Sequence, residues 1–334
     1  MKKKRLKKRR VLWKSIVFFF IYMILFTGVT GVFITIYGPF ENVKRTFVGT
    51  AMSTMTHQYL ATTFLSQAQI DKILGKGTST SSNQTNQNEN VNDVKISSLG
   101  DNNIERRDIN TSRFDGYILE ISNPKRIKVG YTQKLRERGQ TTSTIVKAFG
   151  GIAGVNGGGF TDLSTTGKAF VGTGAFPEGI VVSGGNTKFT NVKENEKFEA
   201  IAFNKNGTLI VGKHTLNDLL SEGVQEALSF NRTLIINGIG QIKDSGGDGI
   251  NPRTVIGQKK NGHILLIVID GRSGFKQGAT LKEVQEILLD QGAWNAANLD
   301  GGSSTTMYYD GGLINSPSDS AGERTIATAL YVTP

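Results

Sequence analysis

Residues 15–40 form an uncharged and mostly apolar run of 26 positions, the feature that most constrains how this chain can fold. About 20 apolar residues suffice to cross a bilayer as a helix, because each adds about 1.5 Å. Nine of the 39 basic residues lie within the first 14 positions, directly before this run. The positive-inside rule therefore predicts a cytoplasmic tail over residues 1–14, a transmembrane helix over 15–40 and an extracellular remainder.

A cleaved signal peptide is the alternative interpretation of the same segment. Its apolar core would span about 7–15 residues and end in a small-residue cleavage site. The run here is longer, and the first alanine of the chain is Ala51. We therefore expect a single-pass anchor in the cell membrane, in contact with lipid, with the N-terminus in the cytoplasm.

Charge and cysteine content narrow the classes of function. The formal net charge of +11 comes almost entirely from the basic tail, since 30 basic and 28 acidic residues remain without it. A nucleic-acid-binding face would spread its basic residues over the folded domain, so we expect no nucleic-acid partner. The chain has no cysteine, which excludes disulfides, thiolate metal sites and cysteine nucleophiles.

Three further segments follow the predicted anchor. Residues 41–74 carry apolar side chains at helical spacing and predict a juxtamembrane helical stalk, with a dimerising or membrane-lying surface as the alternative. Residues 75–93 predict a flexible polar linker, because 77–90 contain no apolar residue. Residues 94–334 predict the functional domain. The oligomeric state stays undetermined.

Strand signals dominate this last domain. Asn206-Gly207 and Asn261-Gly262 each separate two apolar runs, a strong hairpin pattern. Thr280 followed by Glu283 predicts the start of a helix with a capping box. Many strands, few helices and no βαβ repeat predict the α+β class, with strand-rich mixed sheets. The remaining predicted strands are 117–121, 127–131, 305–309 and 326–332, and a short helix is predicted over 144–149.

The candidate functional residues are polar side chains that adjoin turns at the ends of predicted strands. Glycine after such a residue permits tight turns and brings backbone N–H groups close to a ligand. Asp-Gly is also an ordinary turn former, so the residue chemistry alone leaves the roles of these aspartates open. Asp310-Gly311 predicts a plain hairpin turn. The candidates are Asn156, Arg253, Asp270, Asp300 and Arg324.

Several other kinds of site are not supported. The three histidines, His57, His214 and His263, are far apart and lack zinc-ligand spacing. Neither a G-x-S-x-G nucleophile turn nor a phosphate-binding loop of the G-x-x-x-x-G-K-[ST] type is present. We therefore expect no cofactor and no metal site; a divalent ion held by the carboxylates stays open but is not indicated.

Taken in order, the motifs resemble the phosphodiester glycosidase family over about residues 141–332. This family takes its name from the enzyme that uncovers mannose 6-phosphate by removing N-acetylglucosamine. Ser304 matches the family serine, whereas Ser303 replaces a glycine. The motifs are Asn-Gly-Gly-Gly-Phe, Pro-Arg-Thr-Val-Ile-Gly, Ile-Asp-Gly-Arg, Asn-Leu-Asp-Gly-Gly-Ser-Ser-Thr-Thr and Glu-Arg-Thr-Ile-Ala-Thr.

The resemblance implies hydrolysis of the sugar C1–O–phosphate bond of a phosphodiester-linked glycan, such as a cell-surface exopolysaccharide. A phosphate monoester has a second pKa near 6 and is a good leaving group, and arginine meets its oxygens with two donors. Asp270 and Asp300 are the implied catalytic residues. Those implied to bind substrate are Asn156, Arg253, Arg272, Ser304 and Arg324.

Two rival functions fit the same motifs. One is a surface glycan-binding or scaffold domain that retains the fold without turnover. The other is a metal-dependent phosphodiesterase that cuts the P–O bond instead of the C–O bond. The products distinguish all three: free sugar with phosphate monoester, sugar 1-phosphate, or none.

Overall fold

A computed structural model describes residues 2–52, 58–74, 90–97, 99–161, 173–193, 195–243, 248–272, 276–319 and 321–334. Most of the predicted linker, residues 75–89, lies outside this described part. The α-helices found there are α1 (Lys2–Tyr37), α2 (Glu41–Met52), α3 (Tyr59–Thr62), α4 (Gln67–Leu74), α5 (Thr142–Ala148), α6 (Leu216–Ser221) and α7 (Leu281–Asp290).

Helix α1 contains one segment, Trp13–Tyr37, that is long and apolar enough to cross a membrane. Its large apolar side chains, from Trp13 to Phe26, are exposed rather than packed in a protein core. One N-terminal apolar helix of this kind fits either a single-pass anchor or a signal sequence.

The short helices α2 to α4 pack together and against the end of α1. Their cluster buries Ile36 of α1 with Val48, Ala51 and Ile70. Ser66 and Gln69 form the predicted capping interaction: the backbone N of Ser66 donates to Gln69 Oε1 at 2.9 Å. The residues between α1 and the linker therefore form helices with a small apolar core of their own.

Strands make up most of the rest of the described chain. They are β1 (Ile104–Asn110), β2 (Asp115–Ile121), β3 (Ile127–Tyr131), β4 (Ala153–Asn156), β5 (Phe160–Thr161), β6 (Phe176–Pro177), β7 (Ile180–Ser183), β8 (Asn186–Thr190), β9 (Phe198–Asn204), β10 (Leu209–His214), β11 (Val224–Ser229), β12 (Thr233–Ile236), β13 (Ile239–Gly240), β14 (Arg253–Lys259), β15 (Ile264–Ile269), β16 (Ala293–Asn298), β17 (Met307–Tyr309), β18 (Gly312–Leu313) and β19 (Thr328–Val332).

Three sheets carry the architecture. The first has seven strands in the order β1-β2-β15-β14-β16-β12-β13, the second is β10-β9-β11-β7-β8, and the third is β18-β17-β4-β19-β3. A two-stranded ribbon joins β5 to β6. The α+β class is therefore confirmed. We expected mixed sheets, but every described pairing is antiparallel, as hairpin connections such as β9–β10 and β14–β15 require.

The main core lies where the inner faces of these three sheets meet. It includes Leu119 of β2, Val155 of β4, Leu228 of β11 and Leu266 of β15. Helix α7 covers the other face of the first sheet, and its start has the predicted capping box between Thr280 and Glu283. Burial of the strand bodies on both sides leaves the strand ends and their loops to form a site.

Candidate active site

Asn156, the last residue of β4, connects several strands through its side chain. Its Nδ2 donates to the backbone oxygen of Asp300 at 2.5 Å. Its Oδ1 accepts hydrogen bonds from Thr254 Oγ1 at 2.7 Å and from the backbone N of Thr306 at 3.1 Å. The buried Asn156 amide is thus bonded to protein at both ends and fixes the loops around it.

The three glycines after Asn156 bring this backbone into contact with its neighbours. A Cβ on Gly157 would lie 2.6 Å from Thr328 Oγ1, and one on Gly158 would lie 2.5 Å from the backbone oxygen of Ser229. No side chain fits at either position without displacing a strand. Glycine is therefore required here for close packing, one of the reasons the sequence motif suggested.

Asp300 lies two residues beyond the end of β16, in a glycine-rich loop. Its Oδ1 accepts a hydrogen bond from the backbone N of Gly301 at 2.9 Å, and its own backbone N donates to the oxygen of Gly157. Burial raises the pKa of Asp300 to about 6 against an ordinary value of 3.8. The Ser304 hydroxyl and the charge of Arg324 lower this pKa but do not offset the burial.

Arg324 approaches the Asp300 loop from the segment before β19. Its Nη1 donates to Ser303 Oγ at 3.2 Å, and its guanidinium lies 5.0 Å from the centre of the Phe160 ring. Arginine stacked on an aromatic face keeps its charge while part of its surface is shielded from water. The serine that replaces a family glycine is thus in contact with a candidate phosphate-binding arginine.

Arg253 is buried at the start of β14 and is held by backbone carbonyls. Its Nε donates to the oxygen of Ala279 at 3.0 Å, and its Nη2 donates to the oxygens of Asp248 and Gly249 at 2.9 and 2.8 Å. Burial lowers its pKa to about 10, so the guanidinium is still charged at neutral pH. Three of its five donors are used by carbonyls.

Arg272 lies on the opposite side of the Asp300 loop from Arg324. It is exposed, with a left-handed backbone at φ +59°, and its Nη2 donates to Asn251 Oδ1 at 2.6 Å. A Cβ on Gly302 would lie 3.4 Å from the same Nη2. The loop from Asp300 to Ser304 therefore lies between two arginines.

Asp270, directly after β15, uses both carboxylate oxygens within the protein. Oδ1 accepts from Asn315 Nδ2 and Oδ2 accepts from the backbone N of Ser316, both at 2.8 Å. Burial raises the pKa of Asp270, and these two hydrogen bonds partly oppose the rise. Asn315 Oδ1 in turn accepts from the backbone N of Met307. Asp270 thus ties the 315–316 segment to the start of β17.

Glu178 is a site residue that the sequence analysis missed. It adds to the rise in the pKa of Asp300, which places the two carboxylates near one another. Its backbone N donates to the oxygen of Gly159 at 2.9 Å, while Asp300 bonds to Gly157. The glycine loop therefore lies between both acids. Glu178-Gly179 after the short strand β6 repeats the signal used for the other candidates, but β6 and β7 were not predicted.

The described residues contain no group of three or more His, Asp or Glu side chains arranged to hold a metal ion. Two buried hydroxyls next to Ser304, those of Thr305 and Thr306, have no hydrogen-bond partner within the described part of the chain. All the predicted site residues thus lie at strand ends or adjoining loops, but Asp270 and Asn156 are bonded internally. Asp300, Ser304, Arg272 and Arg324 form one continuous group.

Comparison with known proteins agrees with this arrangement. The sequence model of the phosphodiester glycosidase family matches residues 149–333, more than half of the chain. Bovine N-acetylglucosamine-1-phosphodiester alpha-N-acetylglucosaminidase is 33% identical over 115 residues, which cover 34% of this chain and 19% of that protein. The SPbeta prophage-derived uncharacterized protein YomE of Bacillus subtilis is 30% identical over 148 residues, covering 40% of this chain and 22% of YomE.

The match to these curated relatives thus spans about a fifth of their own length. Among solved structures, the catalytic domain of zebrafish N-acetylglucosamine-1-phosphodiester alpha-N-acetylglucosaminidase superposes with a TM-score of 0.56 at 24% identity. The superposition covers 70% of this chain and 82% of that domain. At this identity the structural likeness establishes the fold.

Proposed function

The chain belongs to the phosphodiester glycosidase family, and we propose on that premise that it hydrolyses the bond between a sugar C1 and a phosphate oxygen. The observation that carries this proposal is Asp300, whose pKa is raised to about 6 beside Arg324 and Ser304. A carboxylate that titrates near neutral pH suits acid–base chemistry, and the arginines suit a phosphate group.

Asp300 acts in its ionised form as the general base. A phosphate monoester leaves readily as an anion, so the reaction needs help at the attacking water more than at the leaving oxygen. Water attacks C1 and gives its proton to Asp300, while the C1–O bond breaks and the phosphate oxygen keeps the electron pair. The products are a free reducing sugar and a phosphate monoester.

Arg324 and Arg272 bind the phosphate from the two sides of the Asp300 loop. Their guanidinium groups offer paired donors that match two phosphate oxygens, and they stabilise the second negative charge as the monoester leaves. Arg253 supports this loop from beneath through its carbonyl contacts. Glu178 is placed to accept hydrogen bonds from sugar hydroxyls.

Asn156 and Asp270 act as positioning residues. The side chain of each is bonded within the protein, so their contribution passes through the loops that they fix. The protein works outside the cell on a phosphodiester-linked glycan or polymer, held at the membrane by α1. The helical segment 41–74 separates that anchor from the catalytic domain, and residues 75–93 act as the linker.

Product analysis tests this function. The membrane-bound protein is incubated with a panel of sugar-1-phosphodiesters in water enriched in ¹⁸O. Free sugar with an unlabelled phosphate monoester is the expected result, because water attacks carbon. Labelled phosphate and sugar 1-phosphate would mean P–O cleavage by a phosphodiesterase. Binding without any product across the panel would mean a glycan-binding domain.

A further inference from the structure

Helix α2 contacts the catalytic domain at a single short loop, residues 248–251. The Oγ1 of Thr50, near the end of α2, accepts a hydrogen bond from the backbone N of Ile250 at 3.1 Å. Gly249 has φ +64°, and a Cβ there would lie 2.5 Å from the backbone N of Thr50 and 2.8 Å from the carbonyl carbon of Gly49. The two backbones therefore pack together with no side chain between them.

The same loop holds two of the site arginines. The carbonyl oxygens of Asp248 and Gly249 accept hydrogen bonds from Arg253 Nη2. Asn251 accepts from Arg272 Nη2 through Oδ1 and donates to the Asp248 oxygen through Nδ2 at 3.2 Å. Any displacement of the loop therefore moves both guanidinium groups relative to Asp300.

Helix α2 is itself fixed against the end of α1. Val48 and Ala51 of α2 are buried in one cluster with Ile36 of α1. Thr50 follows the end of α1 by 13 residues, so at 1.5 Å per residue the contact lies within roughly 20 Å of it. The arginine-holding loop is thus joined to the apolar helix through a packed core as well as through the linker.

We propose that α2 is a positioning element of the active site, which holds loop 248–251 so that Arg253 and Arg272 meet the phosphate group. This rests on the proposed function for the identity of the ligand. The helical segment is then part of the functional unit rather than a spacer, although it lies outside the residues matched by the family.

One test removes the hydroxyl of Thr50 without changing its shape. Thr50→Val leaves the Ile250 N–H without its acceptor, which at about 1 kcal/mol corresponds to roughly a 5-fold effect. We expect the full-length variant to bind inorganic phosphate about 5-fold more weakly and to lose kcat/KM to a similar extent. Thr62→Val is the matched control, because that hydroxyl donates to Gln58 within the same helical segment.

A second test restores the contact covalently, using the absence of native cysteine. The Thr50–Ile250 hydrogen bond limits the two Cα atoms to about 7 Å, close to disulfide range. The full-length Thr50→Cys, Ile250→Cys protein should bind phosphate weakly when reduced and recover on oxidation. Failure to cross-link would overturn the proposal, as would a Thr50→Val protein that matches Thr62→Val or binds phosphate more tightly. Loss of phosphate binding in variants of a protein that cleaves no phosphodiester would refute the proposed reaction alone.

Discussion

Asn156 donates a hydrogen bond from its side chain to the backbone oxygen of Asp300 at 2.5 Å, joining two strand ends that are 144 residues apart. The bond fixes the backbone of the residue with the pKa near 6. We expect Asn156→Asp to replace this donor by an oxygen that faces a carbonyl oxygen, inside a site with almost no exposure. Chemical denaturation should show a loss of about 3 kcal/mol or more. Unchanged stability would mean that the amide is turned the other way.

Asp300→Asn should separate activity from stability. Removing the proposed base should lower turnover by roughly 10²-fold or more. The folded-state pKa of about 6 lies above the ordinary 3.8, so the stability that this group contributes is present below pH 3.8 and is lost as the pH rises through 6. The variant should therefore be more stable than the parent at pH 7, by about 2 kcal/mol. Thermal unfolding of both proteins at pH 4 and pH 7 measures the difference.

The pH profile of kcat/KM reports the titration of the free enzyme. If Asp300 works in its ionised form, kcat/KM should be low in acid and rise about tenfold per unit until the pH passes roughly 6. A profile that instead falls above pH 6 would assign Asp300 as an acid. The Asp300→Asn protein, assayed for its residual activity, should lack the inflection.

Asp270→Asn should behave differently from Asp300→Asn. Its two oxygens face two donors, from Asn315 and Ser316, so an amide nitrogen at one of them leaves a donor unpaired. Removing the charge recovers part of the burial cost, so we expect a net loss on the order of 1 kcal/mol together with reduced turnover. Higher stability with unchanged kinetics would exclude the positioning role.

Asp310→Asn is the matched control for Asp270→Asn. Asp310 and Gly311 have φ values of +49° and +84° and connect β17 to β18, which confirms the predicted plain hairpin turn. The change should cost under about 0.5 kcal/mol and leave kcat/KM at the parent value. A loss of activity equal to that of the Asp270 variant would show that the assay does not distinguish site from surface.

The apolar helix can be tested by topology. A reporter fused after Pro334 should be active outside the cell, and the protein should sediment with membranes, because the basic tail precedes the apolar run. Release of the domain with a new N-terminus between Gly38 and Ala51 would identify α1 as a cleaved signal instead.

Local sequence periodicity and turn chemistry determined much of this protein. The hairpins at Asn206-Gly207 and Asn261-Gly262, the capping boxes at Ser66 and Thr280, and the long apolar run of α1 were all predictable. The strand β1 was not, because at the edge of its sheet it alternates exposed and half-buried side chains without an apolar face.

Only the tertiary structure decided how the site residues divide their work. Asp270 and Asp300 look alike in sequence, each at a strand end before glycine, yet Asp270 is bonded through both oxygens by residues 45 and 46 positions away. Asp300 instead faces Ser304, Arg324 and Glu178. The contact of α2 with loop 248–251 bridges 200 positions. Hydrogen-bond saturation and burial depend on such distant partners, whereas periodicity and turn signals depend on neighbours along the chain.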